Sequence, residues 1–260
     1  MQAFAPSIGA DELRACTVFL NDDLFVVNKP GWLVCHPSKQ GPWSSLAGAA
    51  RSYLKQSTIH LVSRLDRETS GVVVIARNPK TASLLQKAQM RRLSKKTYMA
   101  ILDGEMKRPC NVDAPLGLDP DCPISVIQKV GKGPGFRDAF TRFEPLCRAG
   151  GFTLCRVLPE TGRKHQIRAH ARHIGFPIVG DKLYGPDPML YLEFIKDGWT
   201  PRHERLLYGL RRQALHAYEI LFDLPAKPVG PFRAPLAREL RVFALEKMGG
   251  GSLDCLKRLC

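Results

Sequence analysis

Five apolar residues in a row, Val72-Val73-Val74-Ile75-Ala76, constrain the fold more than any other stretch of this chain. The run is short, has no polar alternation and is led by a glycine, so it predicts a buried strand. Immediately before it lies Ser63-Arg64-Leu65-Asp66-Arg67-Glu68-Thr69-Ser70-Gly71, which places one carboxylate between two arginines. On the residues alone that segment has two readings. It is a surface turn of ion pairs, or it presents Asp66 as an ionised carboxylate ready to act as a nucleophile.

Further elements follow from local pattern. Leu24 to Asn28 predicts a strand stopped by the turn tripeptide Lys29-Pro30-Gly31. Ser44 or Ser45 caps a helix carrying Leu46, Ala49, Ala50, Tyr53 and Leu54 on one side. Asn78-Pro79 opens another through Leu84, Leu85 and Ala88. Tyr98 to Leu102 and Phe152 to Val157 predict strands, residues 109 to 138 hairpins or a long loop, and His216 to Phe222 a late strand. A helix is expected from Arg163 to Ile174, closed by Gly175, and Met248 to Ser252 is expected to be a flexible joint. Strands outnumber helices without regular βαβ alternation, so the fold class is α+β, with a large mixed or antiparallel sheet.

The chain has 260 residues, enough for one large domain or a domain with a small appendage. No apolar run approaches the roughly 20 residues of a membrane span, and the N-terminus lacks the pattern of a secretory signal. The expected location is therefore cytoplasmic. Its eight cysteines form no CxxC pair and are read as reduced thiols, with Cys255 and Cys260 the most exposed. Basic residues number 39 against 24 acidic, a formal charge of +15, which suits a polyanionic partner. The excess clusters: nine Lys and Arg with two acids between Arg77 and Arg108, and five with one acid between Arg156 and Arg172.

On the helix after Val157, Ile167, Ala171 and Ile174 form an apolar stripe, while His165, Arg168 and Arg172 lie on another face. Arg168 could there be aimed at an anion from a packed platform, or belong to a solvated basic face. His170 and His173 have ligand spacing, but no H-E-x-x-H signature accompanies them, and no metal is expected. Asp181 reads as a turn former. Phosphate-loop, dinucleotide and nucleophile-elbow signatures are missing, so no cofactor is indicated.

Taken together, five segments resemble the RluA-type pseudouridine synthases. Asn21 to Pro37 resembles the family's opening strand and turn, SRLDRETSGVVVIA its catalytic-aspartate motif and KKTYMAILDG its tyrosine motif. ETGRKHQIRAHARHIGFPIVGDKLYG resembles the basic-residue motif with its turn, and LHAYEILFDLP with FRAPL the closing strand. The segments keep family order over about residues 17 to 240. Ser63 stands where the family often has histidine, and the residues before 17 leave no room for the S4 domain of some members.

The resemblance implies the pseudouridine synthase fold, a mainly antiparallel mixed sheet flanked by helices and loops. Its catalytic domain would span residues 17–245, after an N-terminal extension at 1–16. Residues 186–213 would be an insertion and 246–260 a flexible basic tail. It also implies uridine isomerisation in a structured rRNA or tRNA stem-loop, by a monomer without cofactor or metal. Asp66 would be the catalytic carboxylate, attacking C1′ or the base or assisting a glycal route. Tyr98 would stack on the base and take part in removing the C5 proton, and Arg168 would pair with Asp66. Arg64 would fill the space left by the flipped nucleotide. Arg67 would bind RNA phosphate or structure the turn, and Lys95, Lys96, Arg163, Lys164 and His165 would contact RNA. Two other readings compete: a non-catalytic RNA-binding protein on the same scaffold, and a metal-dependent nuclease using Asp66 and the histidines.

Overall fold

The computed structural model describes residues 6–36 and 41–257. The chain forms two compact units, Met1–Lys96 with His216–Ala237, and Thr97–Leu215 with Arg238–Cys260.

The first unit holds β1 (Thr17–Leu20), β2 (Leu24–Lys29), β3 (His60–Leu61), β4 (Ser70–Ala76), β11 (Leu215–Phe222) and β12 (Val229–Arg233). Its helices are α1 (Ala10–Ala15), α2 (Leu46–Leu54) and α3 (Pro79–Met90). The Val72–Ala76 run lies in β4, and all seven residues of that strand are buried. Strand β2 pairs antiparallel along one side, from Leu24↔Ala76 to Lys29↔Gly71. On the other side β3 pairs antiparallel near Ala76, and β11 pairs in parallel through His216↔Ser70 and Ala217↔Gly71. Alternation along β4 sends Val72, Val74 and Ala76 toward Ala82, Leu85 and Ala88 of α3. Val73 and Ile75 face Phe25, Val27, Leu13 of α1 and Leu46, Ala49 and Ala50 of α2. Helices on both faces explain why this strand carries no polar alternation.

Both helix starts have their expected caps: Ser45 accepts from the Gly48 N–H, and Asn78 from Thr81 N–H ahead of Pro79. Leu84 departs from the expected apolar side of α3. It is 50% exposed, because Ala82, Leu85 and Ala88 already fill the face toward the sheet.

The second unit holds β5 (Ser94–Asp103), β6 (Cys110–Asp113), β7 (Leu116–Leu118), β8 (Gln128–Val130), β9 (Phe140–Ala149) and β10 (Phe152–Pro159). Its helices are α4 (Gln166–His173), α5 (Met189–Asp197), α6 (Pro201–Leu206), α7 (Arg238–Met248) and α8 (Leu253–Lys257). Strand β10 lies antiparallel between β5 and β9, β6 pairs with β9, and β7 and β8 form a separate hairpin. The expected 186–213 segment folds as α5 and α6, joined where buried His203 accepts from Thr200 N–H and donates to the Leu190 carbonyl. Parallel pairing of β4 with β11 beside antiparallel neighbours, with helices against the strands, is the expected α+β class.

Three local expectations change. Helix α4 begins at Gln166 rather than Arg163, because the Gln166 side chain accepts from Thr161 Oγ1 and Arg163 N–H and holds that loop outside the helix. Its other end keeps Gly175 at φ +79°, where the Gly175 and Phe176 N–H groups bond back to Arg172 and Ala171. The expected flexible joint is a 3-10 turn, Gly249–Ser252, in which the Ser252 hydroxyl donates to the Gly249 and Ala244 carbonyls. Cys255 is half-buried rather than exposed, its thiol directed at the Leu146 carbonyl. Cys260 lies outside the described residues. Among the described cysteines all are free thiols.

Candidate active site

In the first unit Asp66 sits in the turn that leads into β4, closed by the Thr69 N–H donating to the Asp66 carbonyl at 3.1 Å. The carboxylate residue is half-buried, Arg64 and Arg67 are exposed, and Thr69 and Ser70 are each 2% exposed. Two features of the opening strand and turn tie this loop down. Fully buried Lys29 donates from Nζ to the Pro30, Leu33 and Arg67 carbonyls at 2.9, 2.8 and 3.0 Å. A lysine ammonium has three N–H donors, so these acceptors can hold its charge inside the protein. Buried Cys35 accepts from the Leu65 N–H and donates to the Leu65 carbonyl, each at 3.4 Å. Burial pushes the Cys35 thiol above its ordinary value, which suits a neutral S–H in that double role.

The arginines on either side of Asp66 separate. Arg67 donates from Nε to the Trp32 carbonyl at 3.4 Å, so it binds the opening turn. Arg64 lies 2.7 Å from His36 Nε2, and because a guanidinium only donates, the imidazole accepts. Ser63 has a local job: its hydroxyl accepts from the Val74 N–H at 3.2 Å. Gly71 ends the turn at φ +110°, where a Cβ would lie 2.2 Å from the Ala217 carbonyl oxygen. Only glycine fits there.

Of the two lysines expected to contact RNA, exposed Lys95 pairs with Asp223 at 2.7 Å. Lys96 turns inward to Gln89 Oε1 at 3.3 Å, and burial lowers its affinity for a proton below that of an ordinary lysine. Gln89 in turn donates to the Val62 carbonyl, just ahead of the Asp66 turn.

In the second unit Tyr98 is a half-buried residue of β5, in register with Val157 of β10. Arg168, on the first turn of α4, is 5% exposed and grips Asp181 with two bonds, Nε to Oδ2 at 2.7 Å and Nη2 to Oδ1 at 2.8 Å. Asp181 is the turn former the sequence suggests, because Oδ1 also accepts from the Leu183 and Tyr184 N–H groups. Burial alone would raise its carboxyl; the Arg168 guanidinium overrides this and holds it below the ordinary value. The guanidinium also lies over the Tyr184 ring, 4.9 Å from its centroid. Ion pair, turn and ring together fix a guanidinium whose side chain has many rotamers.

His165 enters α4 in the left-handed region at φ 53°. Its Nδ1 is 2.9 Å from the Tyr184 hydroxyl, which accepts from the Gln128 N–H. Arg163 is exposed and donates to the Asp138 carbonyl, and Lys164 is exposed. His170 engages both ring nitrogens, with Thr141 Oγ1 and the Ala114 carbonyl at 2.9 Å each. It is a core histidine in this structure.

Sequence reasoning singled out Asp66, Arg64, Tyr98 and Arg168 as candidates, and did not point to Lys29, Cys35 or the Arg168–Asp181 pair. Lys29-Pro30-Gly31 carries only a turn signal, and the Asp181 pairing could have been found only by asking what neutralises a buried arginine.

Comparison with known proteins identifies the family. A family described as RNA pseudouridylate synthase matches residues 23–173, a stretch that contains Asp66, Tyr98 and Arg168. The chain is 32% identical over 229 residues to an uncharacterised RNA pseudouridine synthase of Bacillus subtilis, covering 86% of this chain and 73% of that one. It is 31% identical over 232 residues to ribosomal large subunit pseudouridine synthase C of Vibrio vulnificus, covering 88% and 68%. Across further curated relatives the chain spans 54% to 77% of their length. Human RNA pseudouridylate synthase domain containing 4 superposes with a TM-score of 0.69 at 25% identity, covering 92% of this chain and 94% of that one.

The chain belongs to the RNA pseudouridylate synthase family, of the RluA type. It is an RNA-modifying isomerase.

Proposed function

We propose that Asp66 is the carboxylate of a uridine-isomerising centre acting on a structured RNA, with Tyr98 and Arg168 as the other catalytic residues. What carries the reading is the held turn: Leu65 and Arg67 are both tied to the opening segment, with half-buried Asp66 between them. The reaction breaks N1–C1′, turns the uracil and bonds C5 to C1′; the C5 proton leaves and N1 gains one. An ionised carboxylate near C1′ stabilises or traps the positive charge that develops there. Tyr98 stacks on the base and its hydroxyl serves the C5 proton. Arg168 serves as the basic residue, its guanidinium held in a fixed orientation by Asp181.

Uridine stacked in RNA hides both reacting carbons, so the nucleotide is flipped out at a cost of a few kcal/mol. Arg64 fills the vacated space. Arg67, Lys95, Lys96, Arg163, Lys164 and His165 contact the RNA, Lys96 from a partly desolvated position. The Vibrio relative is named for the large ribosomal subunit, which makes ribosomal RNA the first substrate class to test, with tRNA second. Within this reading the catalytic domain spans residues 17–245, and the protein acts as a cytoplasmic monomer.

The test incubates wild type and Asp66→Ala with rRNA and tRNA in the presence of a chelator, followed by chemical mapping of pseudouridine. Wild type should add pseudouridine at discrete sites that Asp66→Ala leaves unmodified. Identical maps from the two proteins would sink the proposal. Binding without product would favour the RNA-binding reading, and chain cleavage lost with chelator the nuclease.

A further inference from the structure

We propose that His216 is a positioning residue for the Asp66 turn, acting through Ser70. This rests on the reading of Asp66 as the catalytic carboxylate.

The N-terminal side of the turn is held by Lys29 and Cys35, as described. Its C-terminal side reaches β4 at Ser70, one residue before the β2 pairing begins at Gly71. Ser70 therefore lies outside that ladder, and its neighbour in the sheet is His216 of β11. Both side chains are buried, and the Ser70 hydroxyl lies 2.8 Å from His216 Nδ1. His216 Nε2 lies 3.2 Å from the Ala234 carbonyl. A carbonyl only accepts, so Nε2 carries the hydrogen. In the neutral ring Nδ1 is then an acceptor, and the Ser70 hydroxyl donates to it. Ala234 orients the imidazole, the imidazole orients Ser70, and the Thr69 N–H bond to the Asp66 carbonyl closes the remaining span.

The direct approach of Gly71 to the Ala217 carbonyl keeps β11 close, so the Ser70–His216 bond has little room to be replaced by another geometry. Releasing Ser70 would let the turn shift against the substrate. A displacement of about 1 Å at a reacting group costs on the order of 100-fold in rate.

The two amide replacements of His216 separate positioning from filling of space. Asparagine places its side-chain oxygen near Nδ1 and can still accept from Ser70. Glutamine reaches toward Ala234, near Nε2, and loses the Ser70 bond. Using the RNA found by mapping, kcat, KM and melting temperature are measured for wild type, Asp66→Ala, Ser70→Ala, His216→Asn, His216→Gln and the Ser70→Ala/His216→Gln double variant.

The expected result is a kcat lowered roughly 10- to 100-fold in Ser70→Ala and His216→Gln, with KM for RNA unchanged. The double variant should be no slower than the slower single, and His216→Asn should recover most of the rate. The inference is overturned if Ser70→Ala keeps wild-type kcat, if the two losses multiply, or if glutamine restores the rate and asparagine does not. Should the His216 variants fail to fold, kcat of Ser70→Ala alone decides. A wild type that makes no pseudouridine overturns the functional reading and this inference with it; an active wild type with a normal Ser70→Ala overturns this inference alone.

Discussion

At the scale of single residues, the Asp66 turn depends on groups that touch no reacting atom. Gly71 is the sharpest case. At φ +110° and 2.2 Å from the Ala217 oxygen, a Cβ meets both a backbone penalty and a steric one. Gly71→Ala should lose about 2–4 kcal/mol of stability, read as a lower urea midpoint with an unchanged slope. Asp66 and its arginines could be singled out as candidates because they sit in a contiguous string. Lys29 was not, because one of its acceptors is the backbone carbonyl of Arg67, and a carbonyl leaves no mark on sequence. His216 read only as a strand residue for the same reason: its partners, Ser70 and the Ala234 carbonyl, are neighbours in space and not in order.

At the scale of elements, α4 and the turn that Arg168 grips hold two buried ionisable side chains, His170 and Asp181, with different pH behaviour. Burial pushes the His170 imidazole below its ordinary value of 6.5, so the unfolded chain takes up the proton first. Its contribution to stability is complete above that value and is lost as pH falls through it toward the folded value. A melting-temperature series from about pH 8 to about pH 5 should decline, and His170→Asn should flatten the decline. Asp181 acts lower. Arg168 depresses its carboxyl, so its contribution persists above the ordinary carboxylate range and fades only as pH falls through and below it. The apolar stripe of α4 was legible from the positions of Ile167 and Ala171, both buried. Its start was not, because a side chain, Gln166, and not the backbone pattern ends the preceding loop.

At the scale of the whole molecule, the formal charge of +15 sets how RNA is held. If the enzyme grips six or more phosphates, raising salt from about 50 to about 200 mM should weaken RNA binding roughly a thousandfold or more. A filter-binding series that is flat in salt would contradict an electrostatic hold on the backbone. The fold class was legible from strand order, but the division into two units was not. Strand β5 (Ser94–Asp103) runs through the boundary at Lys96 and Thr97, so no proline or glycine marks it. The terminal Gly249–Ser252 turn misled in the opposite way. Glycines that usually mark a flexible joint here allow the chain to fold back on α7, while Gly150 admits the Lys247 carbonyl to 2.1 Å of where its own Cβ would stand.

The first unit is made of two separated pieces of chain, with the bulk of the second unit threaded between them. On the ribosome, therefore, the Asp66 turn emerges early with Lys29 and Cys35 already available to it. Its His216 anchor appears only after Thr97–Leu215 has been synthesised. The nascent protein must carry an open sheet edge at the Ser70–Gly71 end of β4 for that interval, and the proposed anchor of the Asp66 turn forms late in translation.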